Sequence, residues 1–227
     1  MKQHRKHIIG NVVVSGAIDA TVKHNMARHH FTAARSFAER ASHIESDLLA
    51  TEPKDETEES SQRAFVVGAV VLAVMGLEAC INEVYLDACD KNKQKLTGLD
   101  ERETALLAEW WAETESRPIL LKYQHALLLL NRGEFPKGEN PYQDADSLVR
   151  LRNALTHYKP EWDDSLDVHS DLQSRLTGKF TLNALSTKDA LWFPHQCLGS
   201  GCAKWAVVAA QELVRDFCEH LGIAERI

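Results

Sequence analysis

Between residues 148 and 160 the chain reads LVRLRNALTHYKP. Arg150, Arg152, Asn153, His157 and Lys159 crowd into this short span. Histidine titrates near neutral pH and serves as general base or general acid. Arginine stays charged, and its planar fork suits phosphate oxygens on which transition-state charge grows. A neighbouring amide orients the imidazole or binds phosphate. These types suit phosphodiester cleavage in RNA. There the 2′-hydroxyl supplies the nucleophile, so neither a metal nor a covalent enzyme intermediate is required. The same residues also fit a plain solvated helix face, where a cation near the C-terminal end is favoured by the helix dipole.

Geometry separates the members of this group. At about 100° per residue, Leu148, Leu151, Leu155 and Tyr158 fall within an arc of roughly 80°, the expected core stripe. Arg150, Asn153 and His157 fall on the opposite side within roughly 60°. Arg152 flanks the core stripe, about 140° from His157. Arg152 and His157 therefore meet at one substrate only if the last turn distorts ahead of Pro160, or if two copies of the helix build the site together. Glu78 and Asn82, four apart on an otherwise apolar helix, are a second polar pair. Buried polar groups need partners. The pair reads either as support that orients the Arg/His site across the bundle, or as a structural hydrogen-bonded pair.

The elements that must hold these residues are helical nearly throughout. Val22, Met26, Ala34, Phe37, Ala41, Ile44 and Leu48 mark one face of a helix over about 22–50. The acidic segment 51–61 reads as a solvated loop, with Ser60 or Ser61 capping the next helix, which runs to about 94. Asp100 with Glu103 three residues on is a capping-box pattern. Pro118 restarts the chain, and PILLKYQHALLLLNR is a helix that stops at Gly133. Asn140 and Pro141 form an N-cap and first-turn pair for the helix of the opening stretch. That helix should end just before Pro160, which disfavours helical geometry at Lys159. A short helix is expected near 165–177. Ser200 caps a last helix, about 201–221. HIIGNVVVSG near the N-terminus reads as a short strand or extended arm. The fold class expected is all-α, one domain over 1–227 with a core of about 20–221, an arm over 1–19 and about five long helices.

The chain has 227 residues, 44% of them hydrophobic and 26% charged, enough to bury a core. The run EPKDETEE at 52–59 carries a net −4 of the formal −7. So acidic a chain is not one that wraps long nucleic acid through many phosphate contacts, although a local cationic site remains compatible. Five scattered cysteines give no disulfide framework and point to a reducing, cytoplasmic compartment. Cys197 and Cys202, with His195 just before them, make half a zinc site without a second half, so no metal is expected. No cofactor signature is present. His24, His29, His30 and His43 read as scattered surface histidines. Trp110, Trp111, Trp162, Trp192 and Trp205 read as packing residues or an aromatic platform for bases. The apolar run AFVVGAVVLAVMGL at 64–77 falls short of a bilayer span and reads as a buried helix, with no membrane partner.

RNALTH, residues 152–157, resembles the Arg-x4-6-His motif of the HEPN superfamily, and Asn153 matches the polar residue that often follows the arginine there. The segment LEACINEVYLDA at 77–88 is similar to the polar-studded helix of HEPN-like proteins. The resemblance implies a compact HEPN-like helical bundle that dimerises. It also implies metal-independent cleavage of RNA at a cleft between the two motifs, leaving cyclic phosphate ends. Arg152 would stabilise the phosphate, His157 would act in proton transfer and Asn153 would support them, with Glu78, Asn82, Arg150 and Tyr158 around them. Partners implied are RNA or a nucleotide, a second copy of the chain, and an antitoxin or antiphage defence-system protein. One HEPN branch carries a modified tyrosine two residues after the histidine. Here Tyr158 follows His157 directly and Lys159 holds that second position. A non-catalytic HEPN-like module that binds a nucleotide, RNA or a protein is the alternative, since fold does not settle function. A helical assembly protein with Arg152 and His157 as surface residues is the third.

Overall fold

The computed structural model describes residues 7–9, 12–14, 23–51, 55–92, 94–158 and 169–227. Apart from a small antiparallel hairpin, β1 (His7–Ile9) with β2 (Val12–Val14), it is all helical. The helices are α1 (Ala27–Ala50), α2 (Glu56–Cys89), α3 (Glu101–Thr114), α4 (Ile119–Leu129), α5 (Tyr142–Thr156), α6 (Ser170–Leu176) and α7 (Ser200–Leu221), with a π-type turn at Trp192–Gln196. Among the described residues, six helices have eleven residues or more, rather than about five.

α2 is the axis of the bundle. It packs along α1, and α7 lies against both. α1 turns Phe31, Ala34, Ala38, Ala41, Ile44 and Leu48 inward at steps of three and four. Met26, expected on that face, precedes the helix and is exposed. The small residues let α1 and α2 approach closely. A Cβ on Gly76 would stand 2.7 Å from the Phe31 ring. α2 buries Val66, Val70, Ala73, Leu77, Ile81 and Val84. It is the one described helix with the length and hydropathy to cross a membrane, and half of that apolar window is buried against other helices.

Of the segment expected to be a loop over 51–61, residues 56–61 are helix. Asp55, not Ser60 or Ser61, caps α2: its carboxylate accepts from Thr57 N at 2.8 Å. Glu56, Glu58 and Glu59 then occupy the first turn, where negative charge is favoured. Residues 52–54 lie outside the described residues. The capping box on α3 is present as expected, Asp100 accepting from Glu103 N and Glu103 accepting from Asp100 N. α4 ends at Leu129, before the Gly133 stop. Pro141 rather than Asn140 precedes α5 directly, and no side chain caps that helix.

Two helix starts are set from a distance. Glu83 on α2 accepts from Met26 N at 2.7 Å and Ala27 N at 2.8 Å, satisfying donors that α1 leaves free. Glu45 on α1 does the same for α7, accepting from Ser200 N at 2.7 Å and from Ser200 Oγ at 2.9 Å. Ser200 thus begins α7 but does not cap it; Gly199 precedes it and no cap side chain is present. Glu83→Ala should therefore lower stability by about 1–3 kcal/mol, while Glu83→Gln, which keeps an acceptor, should recover most of it. Equal urea midpoints for wild type and Glu83→Ala would refute the cap.

A third polar knot closes the far end. Asp87 on α2 is fully buried and accepts from Arg226 Nη1 at 2.7 Å and Lys23 Nζ at 3.0 Å, with Lys95 Nζ at 4.0 Å. α7 stops at Gly222, whose φ of 65° is the left-handed geometry glycine adopts freely.

Candidate functional site

α5 carries the Arg/His stretch and packs against α2, α4, α6 and α7. Its inner face is as expected in its first part: Ala145, Leu148 and Leu151 are fully buried. Leu155 is only partly buried, and Tyr158 is 46% exposed. The physical reason is in the backbone. His157 ends the helix with φ −107° and ψ 29°, which swings Tyr158 off the core stripe. Lys159 and Pro160 lie outside the described residues.

The same observation decides how Arg152 and His157 relate. The His157 amide still donates to Asn153 O at 2.9 Å, so His157 itself stays on the helix. The departure redirects only the residues beyond it. Arg152 and His157 thus remain about 140° apart around one helix, and no hydrogen bond or ion pair joins them among the described residues.

Their surroundings differ. Asn153 and His157 are exposed. Arg152 is half-buried, and its Nε is enclosed with no acceptor among the described residues. Its carbonyl accepts from Thr156 Oγ1. By contrast Arg150 is committed: its Nε donates to Asp146 at 2.8 Å, and that carboxylate holds its pKa up. Asp146 also meets Arg175 at 3.8 Å, and Asp144 pairs with Lys179, which ties the α6 region onto α5.

Glu78 and Asn82 are occupied by a residue that sequence reading missed. Lys122 on α4 has a side chain only 2% exposed, and its Nζ donates to Asn82 Oδ1 at 2.9 Å and lies 3.6 Å from Glu78. Its Nζ also sits 5.9 Å from the Trp111 ring centre. The signal was a lone lysine in the leucine-rich PILLKYQHALLLL, a cation that must find acceptors if its helix is buried. No side-chain hydrogen bond or ion pair joins Glu78 or Asn82 to Arg152 or His157 among the described residues. Asn82→Leu, which strips the ammonium of its short acceptor, should lower stability by about 2–3 kcal/mol. Lys122→Met with Asn82→Leu should be close to wild type in a urea titration, because it removes both partners. A double variant as unstable as Asn82→Leu alone would contradict this pairing.

Burial pushes the Cys197 thiol up to about 12, and the buried Cys202 thiol is raised as well. Among the described residues no three His, Cys, Asp or Glu side chains converge as metal ligands. Trp205 is a core residue, Trp111 lies 5.5 Å from Tyr85, and Trp110 meets His125 edge-on at 5.5 Å. Trp162 lies outside the described residues.

The chain matches no protein-family model, no curated protein and no solved structure.

Proposed function

We propose that this chain is a HEPN-like, metal-independent endoribonuclease whose site forms across a homodimer. The observation that carries the reading is the state of Arg152. A largely buried guanidinium has a carboxylate beside it, as Arg226 has Asp87. Among the described residues Arg152 has no such partner, and the same helix carries an exposed histidine and amide. A phosphate is the anion that this arrangement lacks. Because one chain holds Arg152 and His157 on different sides of α5, a second α5 supplies the missing half.

In the reaction, His157 takes the proton from the 2′-hydroxyl as its oxygen bonds to phosphorus. Arg152 holds the charge that grows on the phosphate oxygens. As the bond from phosphorus to the 5′-oxygen breaks, the imidazolium so formed gives that proton to the leaving oxygen, and the 2′,3′-cyclic phosphate remains. A cytoplasmic toxin or antiphage effector, held in check by a partner protein, is the setting this activity fits.

The separation of Arg152 from His157 favours one rival, a non-catalytic module that binds RNA, a nucleotide or a protein. Incubating the purified chain with single-stranded and structured RNA in excess EDTA decides between them. The nuclease cuts RNA whether EDTA is present or absent and leaves cyclic phosphate ends. No cleavage by the wild type, or cleavage that purified Arg152→Ala and His157→Ala retain, sinks it. Sedimentation that finds only monomer at micromolar concentration sinks the composite site.

A further inference from the structure

Tyr158, next to His157 in sequence, joins two further rings. Tyr158 lies 6.1 Å from Phe193, centre to centre, with the ring planes at 49°. His169 lies 4.5 Å from Phe193 on a contact of 57°. Phe193 is 4% exposed and His169 half-buried, so they form a floor. Tyr158 is 46% exposed, so nearly half of its surface meets solvent. Phe193 takes its place because the π-type turn kinks there, with φ −113° and ψ 130°. Tyr158 takes its place because the chain leaves the helix at His157.

A single exposed tyrosine means little on a protein surface. This one is different in two ways. Its ring is backed by a buried aromatic rather than standing free, which limits the rotamer entropy lost on binding. It also adjoins the exposed imidazole of His157 in sequence. Stacking of bases on aromatic side chains is how proteins hold unpaired nucleotides, with little regard to which base is present.

We propose that Tyr158 is the stacking platform for an unpaired nucleobase next to the phosphate at His157, which makes the substrate single-stranded RNA. This rests on the reading of α5 as an RNA site. Tyr158 then positions the nucleotide, and the chemistry stays with His157 and Arg152. A paired base cannot reach the ring without leaving its stack, so duplex RNA is excluded.

The probe is a 2′-O-methyl oligonucleotide, which binds but cannot be cut for lack of a free 2′-hydroxyl. Tyr158→Ala should weaken its binding between roughly five- and a hundred-fold, and Tyr158→Phe should hardly change it. One abasic position, scanned along the oligonucleotide, should cost the wild type a similar factor at a single register and cost Tyr158→Ala nothing there. That cycle reads the stack itself and not a folding defect. The proposal is overturned if Tyr158→Ala binds as tightly as wild type, if the same sequence as a duplex binds equally well, or if the wild type does not bind the probe. Parallel cleavage of unmodified RNA separates the two readings. Tyr158-dependent binding without cleavage keeps the platform and ends the nuclease; cleavage with Tyr158-independent binding does the reverse.

Discussion

Asp87→Ala is expected to lower the unfolding free energy by about 3–5 kcal/mol, a large share of what a domain of this size has. Asp87 is fully buried, and Arg226 beside it keeps only 9% of its side chain exposed. Without the carboxylate, Arg226 retains the Lys95 carbonyl at 3.3 Å and nothing that neutralises it. The effect comes from the stranded cation and not from the attraction lost. Asp87→Leu combined with Arg226→Met should therefore regain most of the stability, since a buried pair replaced by apolar groups of similar volume is often neutral. Lys23 and Lys95 contribute less, because each keeps access to water. Equilibrium unfolding in urea tests this directly. An Asp87→Ala protein within about 1 kcal/mol of the wild type would mean that the knot is relaxed in solution.

His157→Ala is expected to lower RNA cleavage by about 10²–10⁴-fold, the range over which general acid–base groups act. Arg152→Ala should lower it by about 10²–10³-fold, and Arg152→Lys should restore little, because an ammonium cannot present the guanidinium fork. Arg150→Ala is the control: Asp146 already holds that side chain, so cleavage should be unchanged. The composite site adds a sharper expectation. Mixing inactive Arg152→Ala and His157→Ala chains should restore part of the activity, because a mixed dimer has one site with both residues intact. If the mixture stays as inactive as its components, Arg152 and His157 do not act across two chains. If all three substitutions reduce cleavage equally, the roles assigned to these residues are wrong.

Much of the fold was legible in the sequence, and the parts that were not share a cause. The capping box at Asp100 and Glu103 was readable because both halves lie within four residues. The inward face of α1 was mostly readable from its period, with Met26 the miss at its edge. The start of α2 was not, because Asp55 sits inside an acidic run that looks equally like a solvated loop. The starts of α1 and α7 depend on Glu83 and Glu45, which are 56 and 155 residues away from the amides Ala27 N and Ser200 N. No local pattern announces such a cap. The site behaves the same way. The placement of Arg150, Asn153 and His157 around α5 followed from helical spacing. The partners of Arg150 and of Glu78 and Asn82 did not, although the i to i+4 pair of Asp146 with Arg150 was within reach of the rule. Tyr158 was read as core because a regular helix was assumed through it, whereas α5 ends at Thr156 with His157 as its C-cap.

The remote carboxylate caps also bear on when this chain becomes stable as it is made. Glu83 lies on α2 and sets the start of α1; Glu45 lies on α1 and sets the start of α7. Each earlier helix awaits a group that is synthesised later, or supplies one to a helix still to come. A nascent chain that has emerged as far as α6 holds α1 against α2 with the apolar surface for α7 uncovered, and Glu45 has Gln62 but no helix end to bind. The closing step is the arrival of α7, which brings Cys202, Trp205, Leu213 and Phe217 into that gap. Ribosome-bound chains halted before α7 should consequently recruit chaperones that grip apolar surface, and release them once Ser200–Leu221 has cleared the exit.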